Sequence, residues 1–484
     1  MSRLAVFLLA SVLAVPVVQA QDVDLRGGFE AGGVRAPLDP QDAEDAETAE
    51  GLRGADTARV PVGDAGERIE PLAEVGRVRP LQPFSERLRA VQRRAPNGGG
   101  GTLDLEVYDG ETRRDAPQGL RAGSFLLYPE LITTLGWSDN VAGSAGGSSG
   151  SLYRIAPALR LQSDWSRHSF GFNFRGSYTG YPDSDLDADP TMNADARLQF
   201  DLSERTELET TARYALTLED RGSAEAVNEG RDIHELGGSL GLRRSLGLVS
   251  AELRGRVDST VYSGGDNTGT SRERDNALYT ATLRLDAQTG ASLQPFAEGS
   301  LFKRHYFEQC RDLTLCADRN SSGYELRAGV AFDNGGKISG DIGLGWRSET
   351  LDDRRLAKLE GLTVDGSLVW SPTRLTTVTG TLSTALAPST LNGTPGSVIY
   401  SGDLRLAHGF SDALAGELGI GYSRRDYTGI VLTEDEANAT AGLTWAVTRN
   451  VALTGRYTFR RFLSSSQGAG YSENQIEAGL RFRH

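Results

Sequence analysis

The sequence has little lysine, two cysteines and a deficit of positive charge. Three of its 51 basic residues are lysine, and 65 acidic residues leave a net charge of −14. Nucleic-acid-binding proteins carry a basic surface, so this balance argues against that class. Two cysteines are too few for a disulfide scaffold or a four-ligand zinc site. Hydrophobic residues make up 38% of the chain, and no run of 18 apolar residues follows residue 20, which excludes a helical membrane bundle.

The first twenty residues have the pattern of a secretory signal. Arg3 supplies a positive charge, residues 4–18 are apolar, and small residues precede a cleavage position between Ala20 and Gln21. An uncleaved N-terminal membrane anchor is the alternative, which the shortness of the apolar stretch disfavours. The pattern predicts a protein that is exported through the inner membrane.

Residues 21–123 are predicted to be a low-complexity, mostly disordered periplasmic extension. Phe29, Phe84 and Tyr108 are the only aromatic residues in it, and residues 40–64 offer little apolar surface to bury. Glycines at positions 98–101 predict a flexible link. A plug for a channel, or a contact with a periplasmic partner, is the alternative role for this segment.

From residue 124 to the end, apolar and polar residues alternate with period two, the pattern of strands that have one apolar face. Phe170, Phe172 and Phe174, for example, alternate with Asn173 and Arg175. We predict about eighteen strands, over residues 124–138, 150–164, 168–180, 190–202, 205–218, 231–245, 247–261, 274–288, 290–306, 320–333, 335–349, 357–371, 373–387, 396–409, 411–427, 435–448, 450–463 and 470–484.

The connections between these segments alternate between short and long. Those at 203–204 and 246–247 are tight, for example, whereas those at 181–190 and 219–230 are long. A barrel that crosses the outer membrane has tight periplasmic turns and longer extracellular loops, and an even number of strands leaves both termini in the periplasm. The sequence therefore predicts an all-β protein, a transmembrane antiparallel β-barrel of about eighteen strands over residues 124–484.

Aromatic residues near the predicted strand ends fit the girdles that such barrels place at the two membrane interfaces. They are Tyr128, Trp137, Tyr153, Tyr178, Tyr262, Tyr279, Tyr324, Trp346, Trp370, Tyr400, Tyr422, Trp445, Tyr457 and Tyr471.

The run at 128–131 (Tyr-Pro-Glu-Leu) and the segment at 135–141 (Leu-Gly-Trp-Ser-Asp-Asn-Val) resemble the opening strand of the outer-membrane β-barrel porin-2 family. Short Gly-rich strands and turns such as 371–374 (Ser-Pro-Thr-Arg) extend the resemblance over roughly residues 120–484. The resemblance implies a type of barrel rather than a substrate. Some relatives are associated with exopolysaccharide loci, which implies polysaccharide export as one alternative. Outer-membrane barrels usually end in an aromatic residue, whereas this chain ends in His484.

Motifs for catalysis are scarce. The five histidines form no His-Glu-x-x-His pattern, and the sequence has no P-loop. His234 and His305 fall near predicted extracellular strand ends, where chance proximity to a serine is expected. The aspartates that alternate over 183–189 resemble half of a calcium loop but lack its glycine and final glutamate, so a solvated acidic loop is favoured. We expect no enzymatic activity, no catalytic residues, no cofactor and no specific metal site.

The strand faces opposite the apolar ones carry arginines and carboxylates. A barrel of about eighteen strands is too wide for side chains to fill, so these groups would tune the passage of solutes through an aqueous lumen or pair with one another and brace the wall. The predicted pore-lining residues are Arg154, Arg160, Arg175, Arg197, Arg213, Arg254, Arg256, Arg284, Arg327, Arg347, Arg405, Arg456, Glu252, Asp258, Glu325 and Asp341.

Cys310 and Cys316 lie in one predicted extracellular loop of an exported protein, which predicts a disulfide between them. Two free thiols or an intermolecular bridge are the alternatives.

The sequence as a whole predicts a porin-like channel of the cell outer membrane for the passive passage of small or oligomeric hydrophilic solutes. The alternatives are a conduit for exopolysaccharide export and a non-conducting structural or surface barrel. Expected partners are outer-membrane lipid and lipopolysaccharide, the barrel assembly machinery and, for the export alternative, periplasmic polysaccharide-export components; no nucleic acid is expected.

Overall fold

β-Strands make up the ordered elements of the structure. The computed structural model describes residues 119–219, 224–225, 232–263, 274–289, 292–308, 318–334, 337–389, 391, 393–466 and 468–484. Its strands are β1 (Leu120–Ala122), β2 (Phe125–Ser138), β3 (Gly150–Ser163), β4 (Ser169–Gly180), β5 (Asp189–Ser203), β6 (Thr206–Leu218), β7 (Asp232–Ser245), β8 (Val249–Ser263), β9 (Asn276–Ala287), β10 (Leu293–Tyr306), β11 (Ser321–Asp333), β12 (Ile338–Leu351), β13 (Leu359–Thr373), β14 (Thr376–Pro388), β15 (Gly396–Gly409), β16 (Leu414–Tyr427), β17 (Thr433–Ala446), β18 (Val451–Ser464) and β19 (Tyr471–Arg483). Within the described ranges, no helix has the length and hydropathy to cross a bilayer.

Strands β2 to β19 form one closed antiparallel barrel. Each pairs with its neighbours in the chain, and β19 returns to β2 through pairs that run from Gln475↔Ser138 to Arg483↔Glu130. A closed barrel has no edge strand, so its backbone groups find partners within the wall. The prediction of a barrel of about eighteen strands is confirmed. The short β1 pairs with the start of β2; it falls in the predicted disordered extension, whose end is thus ordered.

The two rims of the barrel differ in their connections. Tight turns join the strands at one rim, which we call the short-turn rim, over 164–168, 204–205, 246–248, 288–292, 334–337, 374–375, 410–413 and 447–450. The connections at the opposite rim, the long-loop rim, run over 139–149, 181–188, 219–231, 264–275, 307–320, 352–358, 389–395, 428–432 and 465–470. The strict alternation that the sequence showed is therefore the alternation between two rims.

Side chains alternate between an apolar and a polar face. Leu135, Leu253 and Leu301 are among the many exposed apolar residues of one face. The other face brings together residues from strands that are not neighbours, such as Arg213 of β6 and Asp258 of β8, whose charged atoms lie 2.8 Å apart. Only the concave face of a barrel converges in this way. The polar face is therefore the inner one, and the apolar face is the one that suits lipid.

Aromatic residues on the outer face form a belt near each rim, as in other membrane barrels. The belt at the long-loop rim contains Trp137, Tyr153, Tyr178, Tyr279, Tyr324, Trp346, Tyr422 and Tyr457, and the belt at the short-turn rim contains Trp165, Trp370, Phe410, Trp445 and Phe482. Tyr400 is not part of the belt, because its hydroxyl donates to the carbonyl of Leu362 in β13. The girdle prediction was also wrong for Tyr128, Tyr262 and Tyr471. The first two lie on the inner face under arginines, at 4.4 and 4.0 Å from ring centroid to guanidinium, and the third stacks on Phe462.

Candidate channel lumen and its mouth

The strand alternation places every predicted pore-lining residue on the inner face, opposite the exposed apolar side chains. What the sequence left open is how these charges are arranged. The structure groups most of them into ion pairs that link one strand to the next or to the second strand along.

The longest chain of ion pairs runs from β9 to β13. Arg284 binds Asp286 at 2.8 Å and Glu298 at 3.1 Å. Arg327 also binds Glu298, at 3.0 Å, and reaches Asp365 at 3.3 Å. Positive and negative groups thus alternate along the wall, and each charge is compensated by a neighbour of opposite sign.

Phe296 lies flat against this part of the inner wall. Its ring centroid is 3.5 Å from the guanidinium carbon of Arg284, a cation–π contact. Glycine makes room for the ring, because a Cβ on Gly329 would lie 2.6 Å from the ring's Cζ atom and 2.2 Å from the carbonyl oxygen of Ile342. Arg284 therefore stacks on the Phe296 ring, which can lie this close to the backbone because Gly329 has no side chain.

A second group of charges joins β10, β11 and β12 nearer the long-loop rim. Arg304 binds Glu349 at 3.1 Å, and both side chains are buried. Arg347 lies 3.6 Å from Glu349 and 3.7 Å from Glu325. Glu349 also accepts a hydrogen bond from Ser321 at 2.6 Å. Arg304 and Glu349 were not among the predicted residues, although the period-two pattern already placed them on the polar face.

The neighbouring strands β5 to β8 carry the next group of paired candidates. Arg254 pairs with Glu252 and lies 3.6 Å from Glu209, which also binds Arg197 at 2.9 Å. Asp258 accepts hydrogen bonds from two arginines of the wall, Arg213 and Arg256. The pairs that complete the set are Arg213–Asp258 at 2.8 Å, Arg256–Asp258 at 2.6 Å, Arg154–Glu477 at 3.1 Å and Arg405–Glu417.

The other four candidates lie beside the following groups. Arg160 stacks on Tyr128, Asp341 accepts a hydrogen bond from Ser367 at 2.7 Å, and Arg175 lies opposite an asparagine of β5. Arg456 is exposed and lies opposite a glutamate of β19 in the strand register.

A segment of the β6–β7 connection crosses the barrel interior near the long-loop rim. The backbone N–H of Ala224 donates to Glu434 Oε1 of β17 at 2.7 Å. Glu225 lies 4.0 Å from Arg425 of β16 and 3.3 Å from Arg274, which precedes β9. Strands β2 to β5, β18 and β19 separate β6 from β17 on the shorter way round the barrel. These contacts therefore span the mouth, and we call Ala224–Glu225 the crossing segment.

The crossing segment is held by a compact group of charges, the mouth cluster: Glu219, Glu225, Arg274, Arg425 and Glu434. Arg274 pairs with Glu219 as well as Glu225, and Arg425 lies 3.7 Å from Glu434. The side chain of Glu225 is 2% exposed and that of Arg274 is 12% exposed. Two cations among three carboxylates leave the cluster with one excess negative charge when all are ionised.

Sequence reasoning missed the mouth cluster. Glu219 and Glu434 belong to acidic groups at strand ends that suit solvated loops equally well, and Arg274 and Arg425 are distant from both in sequence. Only the folded structure, with Glu225 beside Arg274 and Arg425, brings them together.

His234, near the long-loop rim, contacts two hydroxyl groups. His234 lies on the outer face, with its Nδ1 atom 2.8 Å from the hydroxyl of Tyr214 and its Nε2 atom 2.7 Å from the hydroxyl of Ser263. Neither of these contacts is a carboxylate, so the third member of a Ser-His-acid arrangement is not supplied by them.

The acidic loop at 181–188 has local hydrogen-bonding roles. Asp183 accepts from the backbone N–H of Ser151 at 3.0 Å, and Asp189 accepts from the hydroxyl of Tyr181 at 2.6 Å. In the part of the chain that the structure describes, no group of three or more His, Cys, Asp or Glu side chains is arranged to hold a metal ion. The predicted signal cleavage position at 20–21 and the predicted Cys310–Cys316 disulfide lie outside the described residues.

A family model described as Putative beta-barrel porin 2 matches residues 115–484. The chain belongs to this family. Its members are porin-like β-barrels of the outer membrane, and the closed barrel with an apolar outer face is the architecture expected of one. The resemblance seen in the opening strand is thereby confirmed over the whole barrel.

Three solved structures of bacterial proteins illustrate what the chain is similar to. The outer membrane protein opdK from Pseudomonas aeruginosa is 13% identical, with a TM-score of 0.39, and the match covers 74% of this chain and 99% of that chain. Pseudomonas aeruginosa OccK2 (OpdF) in complex with glucuronate is 13% identical, at a TM-score of 0.39 and coverages of 76% and 100%. The FrpB iron transporter from Neisseria meningitidis is 8% identical, with a TM-score of 0.39, and the match covers 77% of this chain and 83% of that chain. No curated protein matches the sequence.

Proposed function

We propose that the protein is a passive channel of the outer membrane for small or oligomeric hydrophilic solutes. The observation that carries this proposal is the contrast between the two faces of the closed wall: apolar residues with two aromatic belts outside, and alternating arginines and carboxylates inside. An 18-stranded wall encloses more space than inward side chains can fill, so its charged inner face suits water. In this proposal the predicted pore-lining residues line the solute path.

The arrangement of charges indicates weak ionic selectivity. Arginines such as Arg284 and Arg327 are each next to a carboxylate, so the wall presents charge of both signs at short intervals. Charges are screened over about 8 Å at physiological salt, so a permeating ion senses mainly the nearest pair. A wall of this kind favours solutes that form hydrogen bonds with both carboxylates and guanidinium groups, as hydroxylated solutes do.

The crossing segment reaches across the proposed path near the long-loop rim. Since loops at the long-loop rim of an outer-membrane barrel face the exterior, solutes arriving from outside meet the mouth cluster first. Size selection is therefore assigned to the segment at 224–225 and to Arg274 and Arg425, which hold it.

Reconstitution tests this function. Proteoliposomes containing the full chain are expected to swell in glucose, more slowly in sucrose and more slowly still in raffinose, and planar bilayers are expected to show ohmic current. A second protein lacking residues 21–118 identifies a plug if it alone conducts. A folded barrel that passes neither sugar nor current in either form refutes the channel and favours a structural surface role, whereas passage confined to long polysaccharide favours the export alternative.

Two further proposals concern residues outside those that the structure describes. We propose that the mature chain begins at Gln21, which N-terminal sequencing of protein from the outer membrane would test. We also propose that Cys310 and Cys316 form a disulfide, so that neither reacts with an alkylating reagent before reduction. Recovery of both cysteines alkylated without reduction contradicts the second proposal.

A further inference from the structure

Between β13 and β14, backbone pairing stops well short of the long-loop rim. Pairs run from Trp370↔Val378 to Gly366↔Leu382 and go no further toward the long-loop rim. Continued in register, residues 360–365 of β13 would face residues 383–388 of β14. Both strands remain paired on their other sides over the same stretch, β13 with β12 and β14 with β15. We call residues 359–365 and 383–388, with the interface between them, the seam.

The seam differs from the interruption in pairing between β3 and β4. There, pairing skips Ala156 and Pro157 and resumes on both sides. Proline has no N–H to donate, so the sequence explains that gap. The seam has no proline in its β13 half, and the pairing does not resume before the rim.

Side chains take the place of the missing backbone bonds. The N–H of Val364 donates to the hydroxyl of Thr384 at 2.9 Å, and that hydroxyl donates to the carbonyl of Val364 at 3.1 Å. The N–H of Thr384 donates to the Asp365 carboxylate at 3.2 Å. From β15, the hydroxyl of Tyr400 reaches past β14 and donates to the carbonyl of Leu362 at 3.1 Å.

The two strands overlap at the seam instead of lying edge to edge. Leu359 belongs to the inner face of β13, whereas Leu386 and Val398 belong to the outer faces of β14 and β15. The three nevertheless form one buried cluster, at 2%, 6% and 8% exposed. An inward side chain and outward side chains meet only if the long-loop half of the β14–β15 hairpin lies on the inner side of β13.

The end of this hairpin is anchored away from the wall. Arg319, in the β10–β11 connection, donates to the carbonyls of Ser389, Leu391 and Thr394 in the β14–β15 connection. The hairpin therefore leans across β11 to β13 and is held at its tip by one guanidinium. A wall closed by side-chain contacts can part without breaking a ladder of backbone pairs.

The surroundings of the seam change from polar to apolar along a path through the wall. On the inner side, Asp365 is paired with Arg327 and Glu325 accepts from Thr363, so both signs of charge are present. Within the overlap lies the leucine–valine cluster. On the outer side Leu362 is 50% exposed and lies opposite Trp346 of the aromatic belt, at the level of the membrane interface.

We propose that the seam is a lateral port through which a single-chain amphiphile with a zwitterionic head group moves between the barrel interior and the outer leaflet. The mixed charges at Arg327 and Asp365 receive the head group, and the cluster of Leu359, Leu386 and Val398 receives the hydrocarbon chain as the overlap opens. This route is separate from the axial path of the proposed channel, and it requires the β13–β14 interface alone to open.

A reversible lock tests the port. A Cβ on Gly361 would lie 3.7 Å from Val398 Cγ2, so the Gly361→Cys, Val398→Cys pair can bridge the seam, in a background with Cys310→Ser and Cys316→Ser. Vesicles are loaded with acyl-labelled lysophosphatidylcholine, and its appearance outside is followed by capture on albumin. Oxidation should reduce capture to the rate of protein-free vesicles, and reduction should restore it. An oxidised barrel that releases the probe as fast as the reduced one overturns the proposal.

A second variant keeps the test decisive if the cysteine pair disturbs assembly. Thr384→Val removes the two hydrogen bonds to Val364 and should raise the release rate by about tenfold. Thr381→Val is the matched control, because Thr381 lies in the same strand where pairing is intact, and it should leave the rate unchanged. Equal rates for both variants and the native chain overturn the port.

Sucrose swelling separates this proposal from the channel. The lock should leave sucrose entry unchanged. If the native barrel passes no sucrose but oxidation still abolishes amphiphile release, the channel fails and the port stands. If sucrose enters and amphiphile release ignores the lock, the port fails and the channel stands.

Discussion

Replacing Arg274 by glutamine should free the crossing segment. Arg274 is the cation between two buried carboxylates, Glu219 and Glu225, and its guanidinium covers the ring of Tyr262 at 4.0 Å. Glutamine keeps much of the side-chain length but removes the cation that lies between the two carboxylates, while Arg425 remains 4.0 Å from Glu225. In the described part of the segment, the backbone is held through the N–H of Ala224, so the repulsion between the carboxylates favours displacement of the segment from the mouth.

The magnitude follows from the burial of the pair. Removing one partner of a buried ion pair costs about 3–5 kcal/mol. The mouth borders the solvent, so the lower end applies, and about 3 kcal/mol corresponds to a ratio of displaced to crossing states that rises by about 150-fold. Single-channel recordings should show this as long dwells in a state of larger conductance that the native protein visits rarely.

Two variants control this experiment. Arg449→Gln removes an arginine from a turn at the short-turn rim and should leave the dwell times unchanged. Adding Glu225→Gln to Arg274→Gln removes one of the repelling charges and should recover part of the native behaviour, as a double-mutant cycle measures. If Arg274→Gln folds, as judged by its heat-modifiable migration, and its conductance states match those of the native chain, the crossing segment does not restrict the mouth.

Three further outcomes are expected. Replacing Arg254 and Arg256 by glutamine removes the cations paired with Glu252 and Asp258, so the wall gains negative charge. The reversal potential in a salt gradient should then shift toward cation selectivity. An unchanged potential would show that these groups lie away from the ion path. Gly329→Ala places a Cβ 2.2 Å from the carbonyl oxygen of Ile342 in the next strand, so urea titrations should show a free energy of unfolding that is lower by about 1–3 kcal/mol. The control is Gly255→Ala, whose Cβ would meet nothing within 4 Å and which should be nearly neutral. Equal unfolding midpoints for the two variants contradict this prediction. In the β12–β13 loop, hydrogen bonds from Arg355 lower the pKa of Asp353 from 3.8 to about 2. This contact should therefore persist from neutral pH to about pH 4 and be lost as the pH falls through 2. A carboxyl titration by NMR that gives Asp353 an ordinary pKa refutes the contact.

The sequence by itself determined the type of barrel and the face on which each strand residue lies. Strict period-two alternation decides which residues meet lipid, because successive side chains of a strand point to opposite sides. Alternating tight and long connections decide the up-and-down order. These are local properties, so spacing alone assigns residues as far apart as Arg154 and Arg456 to the same face. The opening strand at 128–141 added the family.

Only the tertiary structure decided which segment crosses the mouth and where pairing in the wall is interrupted. Closing the barrel puts Glu225 beside Arg425, a contact between segments far apart in the chain that no local pattern encodes. It also brought Arg274 over the ring of Tyr262, because period two places Tyr262 on the face of Arg254 and Arg256 but does not specify which loop residue it meets. The overlap at Leu359 and Leu386 depends on how two strands are displaced from each other across the sheet. Periodicity fixes the direction of a side chain relative to its own strand, but the displacement of one strand from its neighbour depends on contacts made by the whole barrel.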